Sequence, residues 1–339
     1  MSAERGSKRE RCGEFALIER IRNTLARSDP RVRVGIGDDA AVLTPQAGEE
    51  LAICTDTLVA GRHFPHNTRA EDIGWKALAV NLSDLAAMGA KPAQALLALT
   101  LPSADVAWVD AFAQGFAELA IAHQVALIGG DTSAGPLCIT VTAIGSLPAG
   151  RGLQRRGARL GDLLIVCGEL GLAAAGLGQL GLEPELGRSL PLLPMRAAHR
   201  WVQKLDRPLP QVEAGLILCD RASAAIDISD GLLADLGHLL DASGVGAEIA
   251  LAAIPGFAEL GSALGADIAL RYVLGGGDDY VLAASVAAAD WPELRVSLRE
   301  QAGITATVIG KVVAEPGVRV AGSDGRPIAP ILGGWDHFA

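Results

Sequence analysis

The chain is a series of short apolar runs, and run after run ends in a turn that carries an aspartate. "GIGDDAAVL" at 35–43 sets Asp38 and Asp39 between a glycine turn and an apolar segment. "CTDTLVAGRHF" from 54, "VNLSDLAAMG" from 80, "IGGDTSAG" from 128, "IDISDG" from 226 and "GGGDDY" from 275 repeat the arrangement. Carboxylates placed this way are not an ordinary solvated surface, and something cationic belongs among them. Half of the residues are hydrophobic and only 4% aromatic, the composition of a soluble α/β protein. At 339 residues the chain has room for two domains, each with its own core.

Periodicity places the elements. "RVRVGI" and "LAICTD" read as strands that run into acid-bearing turns. From 68 to 89 the spacing of Ile73, Ala77, Val80, Leu85 and Met88 predicts a helix. Thr68 with Glu71 forms a capping-box pattern at its start, and Gly89 stands where a C′ glycine belongs. Asn81 and Asp84, three apart, share one face near that helix's end. "LLALTLP" reads as strand, 105–123 as helix, and "VALIGGD" and "LCITVTAIGSL" as further strands. "PAGRGLQRRGARLGD" (148–162) breaks the pattern and marks a domain boundary, giving 13–150 and 151–339 behind a flexible tail at 1–12. Beyond it "LLIVCG" is a strand, 170–182 a helix, "AAIDISDG" a strand end, and Leu232, Leu233, Leu236, Leu239 and Leu240 an apolar helical stripe stopped by Gly244. "GGGDDYVLAASV" and "TATVIGKVV" close the chain as strands. "NLSDLAAMG" and "DISDGLLADLG" resemble each other enough to raise a duplicated half-domain.

Charge excludes some functions. Lys and Arg number 29 against 39 Asp and Glu, a formal charge of −10, with no basic stripe for nucleic acid. No apolar stretch is long enough to span a bilayer. Five scattered cysteines without a C-x-x-C pair fit neither a disulfide framework nor a zinc site. The start lacks a signal-peptide core, so a cytoplasmic location is expected. "GLGQLG" at 176–181 fits a dinucleotide fingerprint in letters only, because it lies in a helical run, and no P-loop is present.

Asp39, Asp56, Asp84, Asp131 and Asp227 each flank an element end. Asp also favours turns and N-caps, so each alone reads either way. Five such places in one chain favour a multi-metal phosphate site, since hard divalent cations take oxygen ligands and clustered acids without them repel. His63 reads as a hydrogen-bond donor to a substrate phosphate or as a packed, hydrogen-bonded imidazole. Arg155 and Arg156 read as phosphate clamps or solvated linker residues. Trp335, after two glycines, reads as a stacking platform or a terminal anchor.

The series "GEF…IGDDAAVL", "TDTLVAGRHF", "KALAVNLSDLAAMGAKP", "LIGGDTSAGP", "DISDGLLADLGHL", "GGGDDY" and "GGWDHF" resembles the thiamine-monophosphate kinase family from Gly13 to Phe338. That family belongs to a wider superfamily of aminoimidazole ribonucleotide synthetase-like ATP enzymes. The resemblance implies a two-domain α/β (α+β) fold whose N-terminal domains pair into a β-barrel homodimer. It implies ATP-dependent phosphorylation of thiamine phosphate to thiamine diphosphate with several Mg²⁺ ions. It carries over Asp39, Thr55, Asp56, Asp84, Asp131, Asp227 and Asp230 as Mg²⁺ ligands. Gly130, Asp131, Arg155 and Ser229 correspond to ATP contacts, and His63, Asp278 and Trp335 to thiamine phosphate contacts. Two positions depart from the pattern. Asp278 stands where the family has Glu, one methylene shorter. Cys54 stands where Ser or Thr is common, and a thiol is a poor Mg²⁺ ligand, which leaves its carbonyl for that role. The implied nucleophile is already ionised near neutral pH, its second pKa being about 6, so no strong base is required. The alternatives are another ATP enzyme of the superfamily, of selenophosphate synthetase or purine cyclo-ligase type, or a non-catalytic metal-binding dimer. Cys12 lacks the lysine-bearing glycine loop expected of the first.

Overall fold

The computed structural model describes residues 13–25, 27–182, 195–322 and 325–328. The chain divides into two compact units. The first takes Met1–Ala47, Ile53–Asn81 and Ala93–Ile144, and the second Gly48–Ala52, Leu82–Pro92 and Gly145–Ala339.

In chain order the first elements are α1 (Glu14–Leu25), β1 (Val32–Val34), β2 (Val42–Leu43) and β3 (Glu49–Val59). They are followed by α2 (Ala70–Ala87), β4 (Lys91–Leu101), α3 (Val106–Ala122), β5 (Ala126–Ala134) and β6 (Cys138–Pro148). β1 and β2 form a small antiparallel pair, and a four-stranded sheet runs in the order β3-β6-β4-β5, with β4 and β5 parallel. Among the described residues no sheet closes into a barrel. β3 shows the period of two expected of a strand with one covered face: Leu58 is buried and Cys54 and Asp56 half-buried, while Ile53, Thr55, Thr57 and Val59 are exposed. The exposed threonines pair across strands, Thr55 with Thr142 and Thr57 with Thr140, each at 2.8 Å between hydroxyls. α3 begins where Asp105 accepts the N–H groups of Ala107 and Trp108 at 3.1 and 3.3 Å, an N-cap worth about 1 kcal/mol.

The second unit holds β7 (Leu163–Cys167), α4 (Leu172–Gln179), α5 (Met195–Asp206), α6 (Val212–Leu218), β8 (Ala222–Ile228) and α7 (Leu232–Ser243). β9 (Gly246–Ala250), α8 (Phe257–Leu264), α9 (Ala266–Gly275), β10 (Val281–Val286), α10 (Trp291–Gln301), β11 (Ala306–Val313) and β12 (Gly317–Ala321) complete it. Its sheet runs β12-β9-β11-β7-β10-β8, antiparallel except for β12 on β9. All of β10 and nearly all of β7 are buried, as strands covered on both faces must be. The leucine stripe of α7 supplies Leu232, Leu236, Leu239 and Leu240 to this core, with Leu233 only partly buried.

"GLGQLG" falls in a helix as read: Gly176 lies within α4, where a Cβ would stand 2.4 Å from the Trp201 carbonyl oxygen of α5. Two readings need correction. The strand read over "GGGDDYVLAASV" is confined to Val281–Val286, because Asp278 and Tyr280 take left-handed backbone at φ 67° and 50°. The two Ser-Asp pairs are not equivalent, since Ser83-Asp84 lies inside α2 whereas Ser229-Asp230 follows β8, so this pair carries no duplication. α5, α6, α8, α9 and α10 gave no sequence reading.

α2 and α7 end alike. In α2 the Gly89 N–H reaches the Ala86 carbonyl and the Ala90 N–H the Leu85 carbonyl, at 2.9 and 2.8 Å. In α7 Gly244 and Val245 bond to Asp241 and Leu240 in the same pattern, both at 3.1 Å. Gly89 and Gly244 share φ near 67–68°. A Cβ on Gly89 would lie 2.7 Å from Cys219 Cβ, whereas one on Gly244 meets nothing within 4 Å. Gly244→Ala should therefore cost only the left-handed strain, about 1–2 kcal/mol. Gly89→Ala should cost clearly more, measured by urea midpoints; equal losses would contradict the close approach of α2 and α6.

Candidate active site

In the first unit, one buried amide organises the acid-bearing end of β3. Asn81, fully buried on α2, takes the Asp56 N–H on its Oδ1 at 3.2 Å and anchors its own Nδ2 on the Ala77 carbonyl at 3.1 Å. The Cys54 thiol donates to the Asn81 backbone carbonyl at 3.3 Å, so that side chain is directed at the helix. Cys54 and Asp56 share this face, and Thr55 lies on the opposite one with Thr142.

Past β3 the chain turns tightly. The Val59 N–H donates to His63 Nδ1 at 2.9 Å, so a neutral His63 carries its proton on Nε2. Lys76 of α2, 2% exposed, donates its ammonium to the His63 carbonyl at 3.2 Å and holds the turn from below.

Gly130 and Asp131 lie on β5, at the other edge of the sheet from Asp56, three strand spacings or about 14 Å across it. They border a small open cleft of about 60 Å³ whose walls include Ile18, Ile21, Ile36 and Leu97. Gly130 is required by the fold as well, since a Cβ there would lie 1.8 Å from the Leu97 carbonyl oxygen. Asp39 is exposed, its N–H bonded to the Asp38 carboxylate at 2.9 Å.

In the second unit, Asp227 closes β8 at 6% exposure and accepts the Ser83 hydroxyl at 2.8 Å, which joins it to the residue preceding Asp84. After β8 the chain makes the turn Ser229–Asp230–Gly231. Asp235, 4% exposed and one turn into α7, accepts all three N–H groups on its single oxygen Oδ2, at 2.9, 2.9 and 3.2 Å. Burial pushes the Asp235 carboxyl up to about 7, helped by the charges of Asp230 and Asp227, even though those N–H bonds oppose the rise.

A second turn is laced to the first. The Asp278 N–H donates to the Ser229 carbonyl and the Tyr280 N–H to the Ile228 carbonyl, both at 2.8 Å. The Tyr280 hydroxyl donates to Asp278 Oδ1 at 3.1 Å. Non-glycine residues at positive φ, as Asp278 and Tyr280 are, mark strain that a functional site retains. Asp279 turns the other way, its carboxylate accepting the Gly171 and Ala173 N–H groups at 2.6 and 3.3 Å at the start of α4.

Arg155 is exposed, with its backbone fixed beside β8: the Ala225 N–H bonds to the Gln154 carbonyl at 3.0 Å, and the Ser243 hydroxyl to the Arg155 carbonyl at 3.2 Å.

The structure thus gathers Cys54, Asp56 and Asn81 in one unit and Asp84, Asp227, Ser229, Asp230 and Asp278 in the other. Trp335 lies outside the described residues. Among the described residues no three His, Cys, Asp or Glu side chains form a ready-made metal cluster. The sequence reading missed Lys76, Ser83, Asp235 and Asp279 as working parts. Asp235 had a signal, since an acid one turn past S-D-G can reach back to the orphan N–H groups of a helix start.

The family model for the N-terminal domain of AIR synthase related proteins matches residues 37–147, and that for the C-terminal domain matches residues 159–323. The thiamine-monophosphate kinase of Salmonella typhimurium is 44% identical over 97% of this chain and 99% of its own. The solved thiamine-monophosphate kinase of Stenotrophomonas maltophilia K279a is 46% identical, covers 93% of this chain and 98% of that one, and superposes with a TM-score of 0.82. AaThiL, solved in complex with AMPPCP and TMP, is 33% identical over 98% of this chain and 100% of its own, with a TM-score of 0.72.

The burial of Asp279 has a pH consequence. Its carboxyl, ordinarily near 3.8, is pushed up to about 7 by desolvation, against the Gly171 and Ala173 N–H bonds. Between those values the folded chain holds a proton that the unfolded chain has released, so stability falls as pH rises from about 4 to about 7. The span is on the order of 4 kcal/mol at most. Asp279→Asn cannot ionise, so the stability of the wild type minus that of the variant should decline across this window. A flat difference in denaturation midpoints would show that Asp279 does not titrate there.

Proposed function

The chain belongs to the thiamine-monophosphate kinase family of AIR synthase related proteins, and from that premise we propose that it transfers the terminal phosphoryl group of ATP to thiamine phosphate, giving thiamine diphosphate and ADP by direct in-line displacement. The observation that carries this reading is the pair of laced turns, which presents Asp230 and Asp278 on one rigid support beside Asp227. The complex of AaThiL with AMPPCP and TMP supports the same pairing of a nucleotide and a second phosphate ligand.

The donors fit Mg²⁺, because carboxylate and carbonyl oxygens are the hard ligands it takes, one or two from protein and the rest from phosphate and water. Asp39, Asp56, Asp84, Asp131, Asp227 and Asp230 are assigned to it, with Thr55 and Cys54 contributing through backbone carbonyls. When bound, Mg²⁺ neutralises the phosphate oxygens that would otherwise repel an anionic nucleophile. Gly130, Asp131, Arg155 and Ser229 are assigned to the nucleotide. His63 points its Nε2 proton at the phosphate of the acceptor, Asp278 contacts the same ligand, and Trp335 stacks on its cationic ring. Asp278 is shorter than the family's Glu, and the Tyr280 hydroxyl steadies it.

We assign residues 13–150 and 151–339 to the two domains, behind a tail at 1–12. The N-terminal domains pair as a homodimer through a shared β-barrel. The exposed face of β3 supports this, since Ile53 is 62% and Val59 37% exposed beside the threonine pairs. A cytoplasmic setting accords with four free cysteines among the described residues and with no described helix long and apolar enough to cross a membrane.

Purified protein with ATP and Mg²⁺ should release ADP only when thiamine phosphate is added, one ADP for each thiamine diphosphate. Asp84→Asn should stay folded and lose at least about a hundredfold in kcat, the usual scale for removing a preorganised charge. Release of ADP without the acceptor, or near-normal turnover by Asp84→Asn at saturating Mg²⁺, would overturn the assignment.

A further inference from the structure

Helix N-termini that follow a strand are common phosphate sites, because their first N–H groups point outward unpaired. α7 follows β8 in that manner, but the turn that leads into it is closed by the chain itself. The N–H groups of Ser229, Asp230 and Gly231 all donate to Asp235 Oδ2, within 3.2 Å. The concavity such consecutive N–H groups make is an anion nest, and here the anion is the chain's own buried carboxylate. The Ser229 carbonyl is engaged as well, accepting the Asp278 N–H at 2.8 Å.

We propose that Asp235 is a positioning residue that withholds the N–H groups of the Ser229–Gly231 loop from phosphate and fixes that loop, so that it meets the nucleotide through the Ser229 hydroxyl and the Asp230 carboxylate. This rests on the functional reading above. It differs from a P-loop in the part that recognises phosphate. There, backbone N–H groups cradle the anion. Here they hold an internal carboxylate, and recognition passes to two side chains and the cation Asp230 is assigned to hold. The loop then binds the metal-nucleotide complex and has little to offer a free triphosphate.

The test is calorimetric titration with AMPPCP, with and without Mg²⁺, on Ser229→Ala, Asp235→Ala and Asp235→Asn. Wild type should bind AMPPCP at least tenfold more tightly with Mg²⁺ than without. Ser229→Ala should weaken Mg-AMPPCP about tenfold, the scale of one hydrogen bond to a charged group, with the KM for thiamine phosphate within twofold of wild type. Asp235→Ala should lose tenfold or more and need more Mg²⁺ for half-saturation. Asp235→Asn, which keeps an oxygen for the same N–H groups, should stay within about threefold of wild type. Ser229→Ala binding like wild type would overturn the proposal, and so would Asp235→Ala if folded with unchanged affinity and Mg²⁺ demand. If Asp235→Ala does not fold, the Ser229→Ala and Asp235→Asn titrations still decide. A wild type that binds Mg-AMPPCP as described but makes no thiamine diphosphate would sink the functional reading and leave this inference standing.

Discussion

The presentation of charge in this molecule depends on polar groups buried behind the acids that face outward. Asn81 holds the Asp56 N–H from the α2 side, and Asp235 grips the loop that carries Asp230. Asp279 fixes the strand entry beside Asp278 by bonding to the start of α4. An ionised carboxylate out of water is costly, and Asp235 and Asp279 show that cost as carboxyls pushed up to about 7. What they stabilise in exchange is geometry. A loop held by three N–H bonds to one oxygen is fixed in place, and with it the backbone that carries Asp230.

This arrangement suits a transfer between two phosphates. The nucleophile needs no strong base, so the barrier is one of charge and alignment. Oxygen donors on stiff supports address both, provided cations are recruited to them. His63 is fixed in the same manner: its Nδ1 accepts the Val59 N–H at 2.9 Å, which sets the orientation of the ring. Lys76 beneath it, buried at 2% exposure, ties that turn to the helix bearing Asn81.

Much of the fold was legible because its signals are local. The apolar stripe of α7, the glycine stops at Gly89 and Gly244 and the alternation of β3 all express short-range periodicity or backbone preference. The acid-bearing turns assigned to the site were read from the sequence too, as carboxylates after apolar runs. Asp235 and Asp279 were not singled out, because in sequence they look like a helix acid and the second half of a doublet. Their roles depend on N–H groups that only the folded turns bring within reach. Helices α8 and α9 were not read either: they are short segments set between Gly256, Gly265 and Gly276, and glycines so close together read as turns. "GLGQLG" was legible as a motif in letters only, from its helical run, and its Gly176 admits the Trp201 backbone.

The most direct test is crystallography with Mn²⁺ in place of Mg²⁺, AMPPCP and thiamine phosphate, using the anomalous signal of manganese to find the ions. Peaks should lie within about 2.4 Å of carboxylate oxygens of Asp227 and Asp230 and touch the nucleotide's phosphates, with the three N–H groups of the 229–231 loop still on Asp235. Nucleotide bound with its phosphates on those N–H groups, and no manganese at the two aspartates, would contradict the view that the acids act by holding the cations that hold the phosphates.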